Sequence, residues 1–273
     1  MTNKIVVLSP HPDDVVWSLG GWLEKLSHYH LVQIVTLFDG DPEPLAEQLI
    51  KQTPKQKWRQ LTDASFRRKE DSKAIASLNC HHISLGNPEA ALRLVDSQFE
   101  YEEIDDIFTH GNNIASHQII SELKSQIIAL LQPKDIVIAP FAIGGHTDHL
   151  ITFAIAKELE NRTAWYAEFP YALSLSTDQV DALCQRQKLD VEPKLYSCCW
   201  NTWITAAMQY RSQVLRLFSG RQRFTQQLAQ FALQDNGIAS CRIWCTRALN
   251  FANEPVSDRR KGKAFASGDE TFC

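Results

Sequence analysis

The sequence predicts an α/β protein with an open, mostly parallel sheet and helices on both faces. The apolar run Ile5–Leu8 precedes a helical pattern, and a second β-type run, residues 31–38, follows that pattern directly. Strand, helix and strand in this order form a βαβ unit, whose two strands are parallel. A further apolar run, Asp135–Phe141, is followed by a second helical pattern over about 147–159 and by a strand over 164–169.

The first helix is predicted from its apolar periodicity. Val16, Leu19, Leu23 and Leu26 fall on one helical stripe of the segment that begins at Asp13. Its acidic residues lie in the opening turn, where the helix dipole favours negative charge. The four apolar residues before this helix, Ile5–Leu8, are typical of a short, buried strand of a parallel sheet.

The remaining elements follow from the same two periodicities. Residues 39–57 are polar and contain three prolines, so we expect an irregular loop there. Further helical patterns cover residues 58–78, 117–131, 202–218 and 222–233, and a further strand is predicted over 81–85. We expect one domain over residues 1–273, whose part from about residue 214 has few anchoring features.

Composition and charge argue against several classes of function. The chain has 273 residues and a formal net charge of −4, which provides no basic surface for nucleic acid or anionic membrane. Apolar runs of about 18 residues are absent from the sequence, and the N-terminus lacks the features of a signal peptide. Seven cysteines without CxxC pairs are typical of reduced thiols. We therefore expect a cytoplasmic protein with no membrane or nucleic-acid partner, while the sequence sets no oligomeric state.

Two polar clusters follow predicted strands and point to a metal site. The first is His11–Asp14 (HPDD) and the second is His146–His149 (HTDH). The carboxyl ends of parallel strands meet at one edge of the sheet, where ligands bind in open α/β folds. Catalytic zinc commonly has three protein ligands, and two histidines and one aspartate from these clusters would meet that number. Helix-capping aspartates and surface histidines are the alternative for either cluster alone, but not readily for both together.

The two clusters also resemble a known family. SPHPDD after a first strand and GGHTDH after a later one resemble the motifs of the LmbE-like or PIG-L family of zinc-dependent N-deacetylases. Phe66–Asp71 resembles the Arg-rich helix of that family, and Tyr166–Tyr171 and Tyr210–Gln213 resemble segments of one of its branches. The resemblance implies a Rossmann-like sheet of the LmbE type and a hydrolase acting on linear amides.

The resemblance implies a Zn²⁺ cofactor and a division of labour in the first motif. It assigns the metal to His11, Asp14 and His149. The neighbouring Asp13 corresponds to the general base that takes a proton from water. Zinc lowers the pKa of water and polarises a carbonyl, and both effects are needed to hydrolyse an unactivated amide.

The same resemblance suggests roles for residues outside the metal site. His146 would polarise or protonate the scissile group, and Asp148 would orient a histidine. Arg67 corresponds to a family arginine that contacts sugar hydroxyls, and Glu89 and Tyr166 are predicted to join it in binding substrate. Glu89 has an alternative interpretation as a solvated loop charge.

Two positions depart from the family pattern. Val15 stands where a glutamate usually follows the aspartate pair, which affects the expected substrate. Gly144 stands where family members often have a tyrosine that helps to hold the oxyanion. That tyrosine is either missing or supplied from elsewhere, and Tyr166 and Tyr171 are the available candidates.

Together these observations predict removal of an N-acetyl group from an amino-sugar-containing small molecule, of the N-acetylglucosamine type. Two alternatives remain open from the sequence. The first is a zinc amidase that acts on a larger thiol-sugar conjugate. The second is a catalytically silent sugar- or nucleotide-binding domain. Metal analysis separates the second alternative from the enzymes, and substrate profiling separates the enzymes from each other.

Overall fold

A seven-stranded sheet organises the chain, in a computed structural model that describes residues 4–52, 59, 63–108, 119–233, 237–249 and 251. The strands of the chain are β1 (Lys4–Ser9), β2 (Leu31–Phe38), β3 (His81–Asn87), β4 (Leu94–Val95), β5 (Gln98–Phe99), β6 (Ile136–Pro140), β7 (Arg162–Tyr166), β8 (Glu192–Ser197) and β9 (Ser240–Cys245). Their order in the sheet is β3-β2-β1-β6-β7-β9-β8, and β4 and β5 form a separate small hairpin.

The five strands β3, β2, β1, β6 and β7 are mutually parallel. Strand β9 runs antiparallel to both β7 and β8, so the antiparallel part of the sheet is confined to one edge. The predicted open and mostly parallel sheet is confirmed. The strand order reverses between β1 and β6, and such a switch point is where open α/β sheets bind ligands.

Helices cover both faces of the sheet, as predicted. They are α1 (Asp14–Ser27), α2 (Pro44–Gln52), α3 (Ala64–Ser77), α4 (Ile119–Leu130), α5 (Thr147–Lys157), α6 (Thr177–Arg186), α7 (Trp200–Ala207), α8 (Arg211–Phe218) and α9 (Arg221–Ala232). Alternate residues of β1 point to opposite faces, because side chains of a strand have a period of two. Ile5 and Val7 pack with residues of α1, α3 and α7–α9, whereas Val6 and Leu8 pack with residues of α4 and α5.

One predicted loop contains a helix. Residues 39–57 were expected to be irregular because of their prolines, but α2 occupies Pro44–Gln52. Pro44 opens the helix at a position where its missing N–H costs no hydrogen bond. Ala46 and Ile50, one turn apart, are buried and anchor the helix. Tertiary packing of these two residues therefore outweighs the polar composition of the segment.

The C-terminal third contains elements that the periodicity did not predict. The helical pattern over 202–218 is divided into α7 and α8, and α6, β8 and β9 were not foreseen. Strand β8 lies at an edge of the sheet and contains Pro193, a residue that edge strands tolerate. Among the described helices, none combines the length and hydropathy that crossing a bilayer requires.

Candidate active site

The corner between β1 and α1 presents Asp13 in an unusual conformation. Asp13 has φ 98° and ψ −41°, in the positive-φ region that L-residues rarely adopt. It occupies the N-cap position of α1, yet its side chain makes no capping hydrogen bond. The backbone N–H of Val15 donates instead to the Ser9 hydroxyl, at 3.3 Å. The Asp13 carboxylate is therefore not engaged in helix capping, contrary to the structural alternative considered from sequence.

His11 is held with one nitrogen toward Asp14. Its Nε2 lies 2.8 Å from Asp148 Oδ2, and its Nδ1 lies 3.3 Å from Asp14 Oδ2. Asp148 is completely buried in the first turn of α5. Because Asp148 occupies Nε2, the ring orientation is fixed and Nδ1 is the nitrogen that faces Asp14.

His149 also lies between Asp14 and a second carboxylate, but its two nitrogens are exchanged relative to those of His11. Its Nδ1 lies 3.1 Å from Glu168 Oε1, and its Nε2 lies 3.2 Å from Asp14 Oδ2. Nε2 is buried, and Asp14 is its ion-pair partner, although this contact does not have hydrogen-bond geometry. A ligand at this position would satisfy the nitrogen fully. The two histidines thus direct Nδ1 and Nε2 at the same carboxylate oxygen.

These donors have the spacing and charge of a metal site. Two ligands of a four-coordinate zinc ion with bonds of about 2.0 Å lie roughly 3.3 Å apart, which matches the separations around Asp14. Burial lowers the pKa values of the two histidines. Asp14 and a second carboxylate for each ring, Asp148 for His11 and Glu168 for His149, outweigh this effect. They raise the pKa to about 10 for His11 and about 9 for His149. The carboxylates therefore stabilise positive charge at these nitrogens, and a divalent cation would take the place of protons.

His146 lies in the same cluster but is held differently. His11, His146 and His149 each offer a ligand atom, and these atoms lie within 4.8 Å of one another. His146 caps α5, because its Nδ1 accepts a hydrogen bond of 3.2 Å from the backbone N–H of Asp148. Burial and the neighbouring His11 lower its pKa well below the usual value for histidine. The lowered pKa favours the neutral ring, and because Nδ1 accepts a hydrogen bond, Nε2 is the nitrogen that can donate.

The adjacent aspartates have opposite electrostatic environments. Burial raises the pKa of Asp13 well above its usual range, although Arg67 opposes the shift. Burial also acts on Asp14, but His149 and His11 outweigh it and hold the pKa of Asp14 well below its usual range. Paired carboxylates whose pKa values are pushed apart are typical of sites with separate acid–base and charge-carrying roles.

Arg67 of α3 lies next to the first motif and is buried. Its guanidinium donates to Glu89, to the Pro12 carbonyl at 3.1 Å and to Asp13 Oδ2 at 3.4 Å. Glu89 is only 6% exposed, which removes its interpretation as a solvated loop charge. Arg67 Nε is buried without a hydrogen-bond partner among the described residues. The Arg67–Glu89 pair therefore adjoins Asp13 and retains one unused donor.

Tyr166 does not lie where a substrate contact requires. Its side chain is completely buried, and its hydroxyl donates to the Leu8 carbonyl at 3.1 Å. Tyr166 thus links β7 to β1 in the core. This placement corrects the prediction that Tyr166 binds substrate. Tyr171 lies nearer the solvent, in a single 3-10 turn over Tyr171–Ser174, and its ring meets His149 edge to face at 5.4 Å.

Sequence reasoning did not identify two residues that hold the site together. Glu168 is completely buried and bonds to His149. Arg93 is buried and pairs with Asp148 and Glu100. Glu168 lies in the segment Tyr166–Tyr171, which resembles a segment of one family branch. That resemblance could have identified Glu168 from the sequence. Arg93 follows a 3-10 turn at Ala90–Leu92, and nothing local to its sequence distinguishes it.

Comparison with known proteins identifies a family and a curated relative. Residues 6–159 match the PIG-L family, described as GlcNAc-PI de-N-acetylase. The 2′-N-acetylparomamine deacetylase of Streptomyces fradiae is 27% identical over 199 residues, which cover 71% of this chain and 62% of that protein. The chain thus spans less than two thirds of the length of this relative.

Solved structures share the fold. A deacetylase of teicoplanin biosynthesis superposes with a TM-score of 0.69 at 20% identity, covering 89% of this chain and 97% of the other. The zinc-inhibited form of teicoplanin deacetylase gives a TM-score of 0.65 at 19% identity over the same shares of the two chains. At these identities the likeness establishes the fold. Because the PIG-L match spans more than half of the chain and includes both motifs of the site, the protein belongs to the PIG-L family.

Proposed function

We propose that this protein is a zinc-dependent hydrolase that removes an N-acetyl group from an amino-sugar-containing small molecule. The observation that carries the proposal is the convergence of His11 Nδ1 and His149 Nε2 on Asp14, at 3.3 and 3.2 Å. Each histidine has its other nitrogen bound to a buried carboxylate, the arrangement that orients ligating histidines in metal enzymes. Membership of the PIG-L family and the names of the relatives supply the reaction class.

His11, Asp14 and His149 would hold the ion. The donor set of two imidazoles and one carboxylate suits zinc and leaves a fourth position open. When bound, zinc would polarise the acetyl carbonyl and make a water molecule acidic enough to act as the nucleophile. His146 stays outside this ligand set in the proposal, because its Nδ1 caps α5 and its Nε2–H is a donor.

Asp13 would be the general base. It is buried beside Asp14 and makes no capping bond, so its carboxylate is available to take a proton from water. A base is most effective when its pKa is close to the working pH, and burial shifts Asp13 in that direction. The Arg67 guanidinium, 3.4 Å away, limits the shift and fixes the carboxylate in place.

His146 would act on the acyl group and the leaving amine. As a neutral donor through Nε2, it can hydrogen-bond to the oxygen or nitrogen of the scissile amide. Its ring lies edge-on to His11 at 4.7 Å between centroids, so that donor adjoins the proposed metal position. The products are acetate and a free amine. The proton that Asp13 would take from water is the one that would pass to the amine nitrogen as the amide bond breaks, while His146 donates a hydrogen bond.

The substrate would be held by Arg67 and Glu89. Arg67 Nε is an unused buried donor, and the Glu89 carboxylate beside it can accept from a hydroxyl. Such a charged pair suits a polar, hydroxylated ligand, in keeping with similar proteins that are named 2′-N-acetylparomamine deacetylase and teicoplanin deacetylase.

The proposal is tested by incubating the zinc-loaded protein with a panel of N-acetylated amino sugars and measuring released acetate. We expect turnover that stops after chelation and returns with zinc. Acetate released only from larger thiol-sugar conjugates would point to the amidase alternative. Sugar binding without acetate release, in a protein that retains no zinc, would point to a silent binding domain.

A further inference from the structure

Asp148, the carboxylate behind His11, is held from three directions. Its Oδ2 lies 2.8 Å from His11 Nε2 and accepts a 2.9 Å hydrogen bond from the backbone N–H of Ala90. Its Oδ1 accepts a hydrogen bond from the Arg93 guanidinium, and the whole side chain is completely buried. Because both oxygens are engaged, the carboxylate cannot rotate without breaking these contacts. The direction of the His11 ring therefore depends on groups that lie outside the proposed ligand set.

Arg93 is itself fixed on the side away from Asp148. Its Nε donates to Glu100 Oε2 at 2.8 Å, and its guanidinium also reaches the Pro88 carbonyl at 3.4 Å. The guanidinium carbon lies 5.3 Å from the centroid of the Phe38 ring, and Arg93 is only 6% exposed. Opposite charges in contact largely cancel at longer range. The pair of Arg93 and Glu100 therefore supplies a fixed donor to Asp148 without adding net positive charge near a cation.

The segment 89–102 contacts the candidate site at two places. Glu89 pairs with Arg67, whereas Arg93 pairs with Asp148. A second buried arginine, Arg59, holds the same segment by donating to backbone carbonyls. The carbonyls belong to Ala91, Tyr101 and Glu102. Arg93 thus holds the segment through a carboxylate of the site and Arg59 holds it through the backbone, so the effects of the two side chains can be compared.

We propose that Arg93 is a positioning residue, which fixes Asp148 so that His11 presents Nδ1 to the metal ion. An imidazole that donates through one nitrogen is kept in the tautomer that binds metal through the other. Without the Arg93 donor, Oδ1 of Asp148 would lose its partner and the hold of the carboxylate on Nε2 would weaken. This inference rests on the proposed function, since the ion is the one that His11, Asp14 and His149 would bind.

The first test compares Arg93→Gln with Arg59→Gln. Both changes remove a buried guanidinium from the same segment, so both should lower the unfolding temperature. Arg93→Gln should also weaken zinc binding by about 10-fold, the lower end of the range for an outer partner of a ligating histidine. Arg59→Gln should bind zinc as tightly as wild type does. Competition with a chromophoric chelator measures these affinities.

Two results of this comparison would overturn the proposal. Equal losses of zinc affinity in the two variants would mean that Arg93 merely packs the segment, and wild-type affinity in Arg93→Gln would mean that its contact with Asp148 does not matter. The lysine variants repeat the comparison with changes that keep the charge, should a glutamine variant fail to fold. Arg93→Lys should recover part of the affinity and bind zinc about threefold more weakly than wild type, whereas Arg59→Lys should match wild type.

A double-mutant cycle shows whether Arg93 acts through Asp148. Asp148→Asn should weaken zinc binding by about 10- to 100-fold. Adding Arg93→Gln to that variant should change the affinity by less than about threefold, because the carboxylate that Arg93 orients is already gone. The double variant also removes both charges of the buried pair, which spares it an unpaired charge. Losses that multiply would mean that Arg93 acts by another route, and would overturn the proposal.

Kinetics at saturating zinc separate the metal side of the segment from its substrate side. Arg93→Gln should keep KM within about threefold of the wild-type value, because Glu89 and Arg67 retain each other. A raised KM with unchanged zinc affinity would mean that Arg93 supports the Glu89 contact instead, which overturns the inference. Wild type that binds zinc but releases no acetate overturns the proposed function alone, since the zinc affinities still test Arg93. Wild type that binds no zinc overturns both.

Discussion

Glu168 Oε1 lies 3.1 Å from Nδ1 of His149, and both side chains are completely or almost completely buried. The same oxygen accepts a 3.3 Å hydrogen bond from the backbone N–H of Ile143, in the loop that leads to His146. One carboxylate thus orients a ligand ring and holds the neighbouring loop. Such outer carboxylates also raise the basicity of a ligating imidazole.

Glu168→Gln should weaken zinc binding. The amide keeps the shape of the side chain but removes the negative charge behind His149, and loss of such a partner lowers metal affinity by about 10- to 100-fold. Competition with a chromophoric chelator measures the affinity directly. Glu160→Gln, the same change at an exposed position, is the control. Equal zinc affinity in the Glu168 variant and wild type would show that this contact only packs the core.

Asp13→Asn and Asp14→Asn should have different effects. Asparagine tolerates positive φ well, so the Asp13 variant should fold and keep its zinc. Its kcat should fall by about 10²–10⁴-fold, the usual range for loss of a general base. Asp14→Asn should instead lose zinc affinity, with part of its rate restored by added zinc. If the Asp13 variant lost zinc while the Asp14 variant kept zinc and rate, the two roles would be reversed.

His146→Asn and His149→Asn distinguish a donor from a ligand. Asparagine at position 146 can still cap α5, so that variant should fold, retain zinc and lose about 10²-fold or more in kcat. His149→Asn should lose the metal and all activity. Elemental analysis after gel filtration measures zinc in each variant. Loss of zinc from His146→Asn would place that residue in the ligand set and overturn its role as a donor.

Arg67→Lys should impair substrate binding while the metal stays. Alanine would leave Glu89 buried without its partner and destabilise the fold, whereas lysine keeps the charge but loses the forked geometry and Nε. We expect kcat/KM to fall by roughly 10-fold with unchanged zinc content. Arg68→Lys, at the neighbouring and more exposed position, should behave like wild type. Equal loss in both variants would indicate a general effect on α3.

His82 should make stability depend on pH. Burial lowers the pKa of His82, but its contact of 3.2 Å with Asp71 outweighs this and raises the pKa above 6.5. The protonated pair therefore stabilises the fold below the unfolded-state pKa, and this contribution is lost as pH rises through the folded-state value. Relative to His82→Gln, wild type should be more stable by about 1–2 kcal/mol at pH 5.5, and the difference should shrink by pH 9. Urea unfolding at both pH values measures this, and a difference that grew with pH would contradict the pairing.

The sequence by itself determined the edge of the sheet at which the candidate site lies and named most of the side chains that the structure brings together there. Apolar runs before His11–Asp14 and before His146–His149 predicted β1 and β6, which are neighbours in the sheet. Because parallel strands place their carboxyl ends at one edge, two local motifs sufficed to predict one shared site. Local sequence patterns did not predict every element. The prolines of residues 39–57 argued against α2, and the antiparallel strands in the C-terminal third show no clear periodicity.

Only the tertiary structure decided which nitrogen of His11 and of His149 faces Asp14 and which carboxylate contacts the other nitrogen. His11 meets Asp148 across 137 positions of the chain, and His149 meets Glu168 across 19. It also placed Tyr166 in the core and Tyr171 against Gly144. Sequence periodicity predicts only the face of a helix or strand on which a side chain lies. The partner of each buried polar atom depends instead on how loops from different strands pack together. Such an atom bonds to whichever group the fold brings within reach.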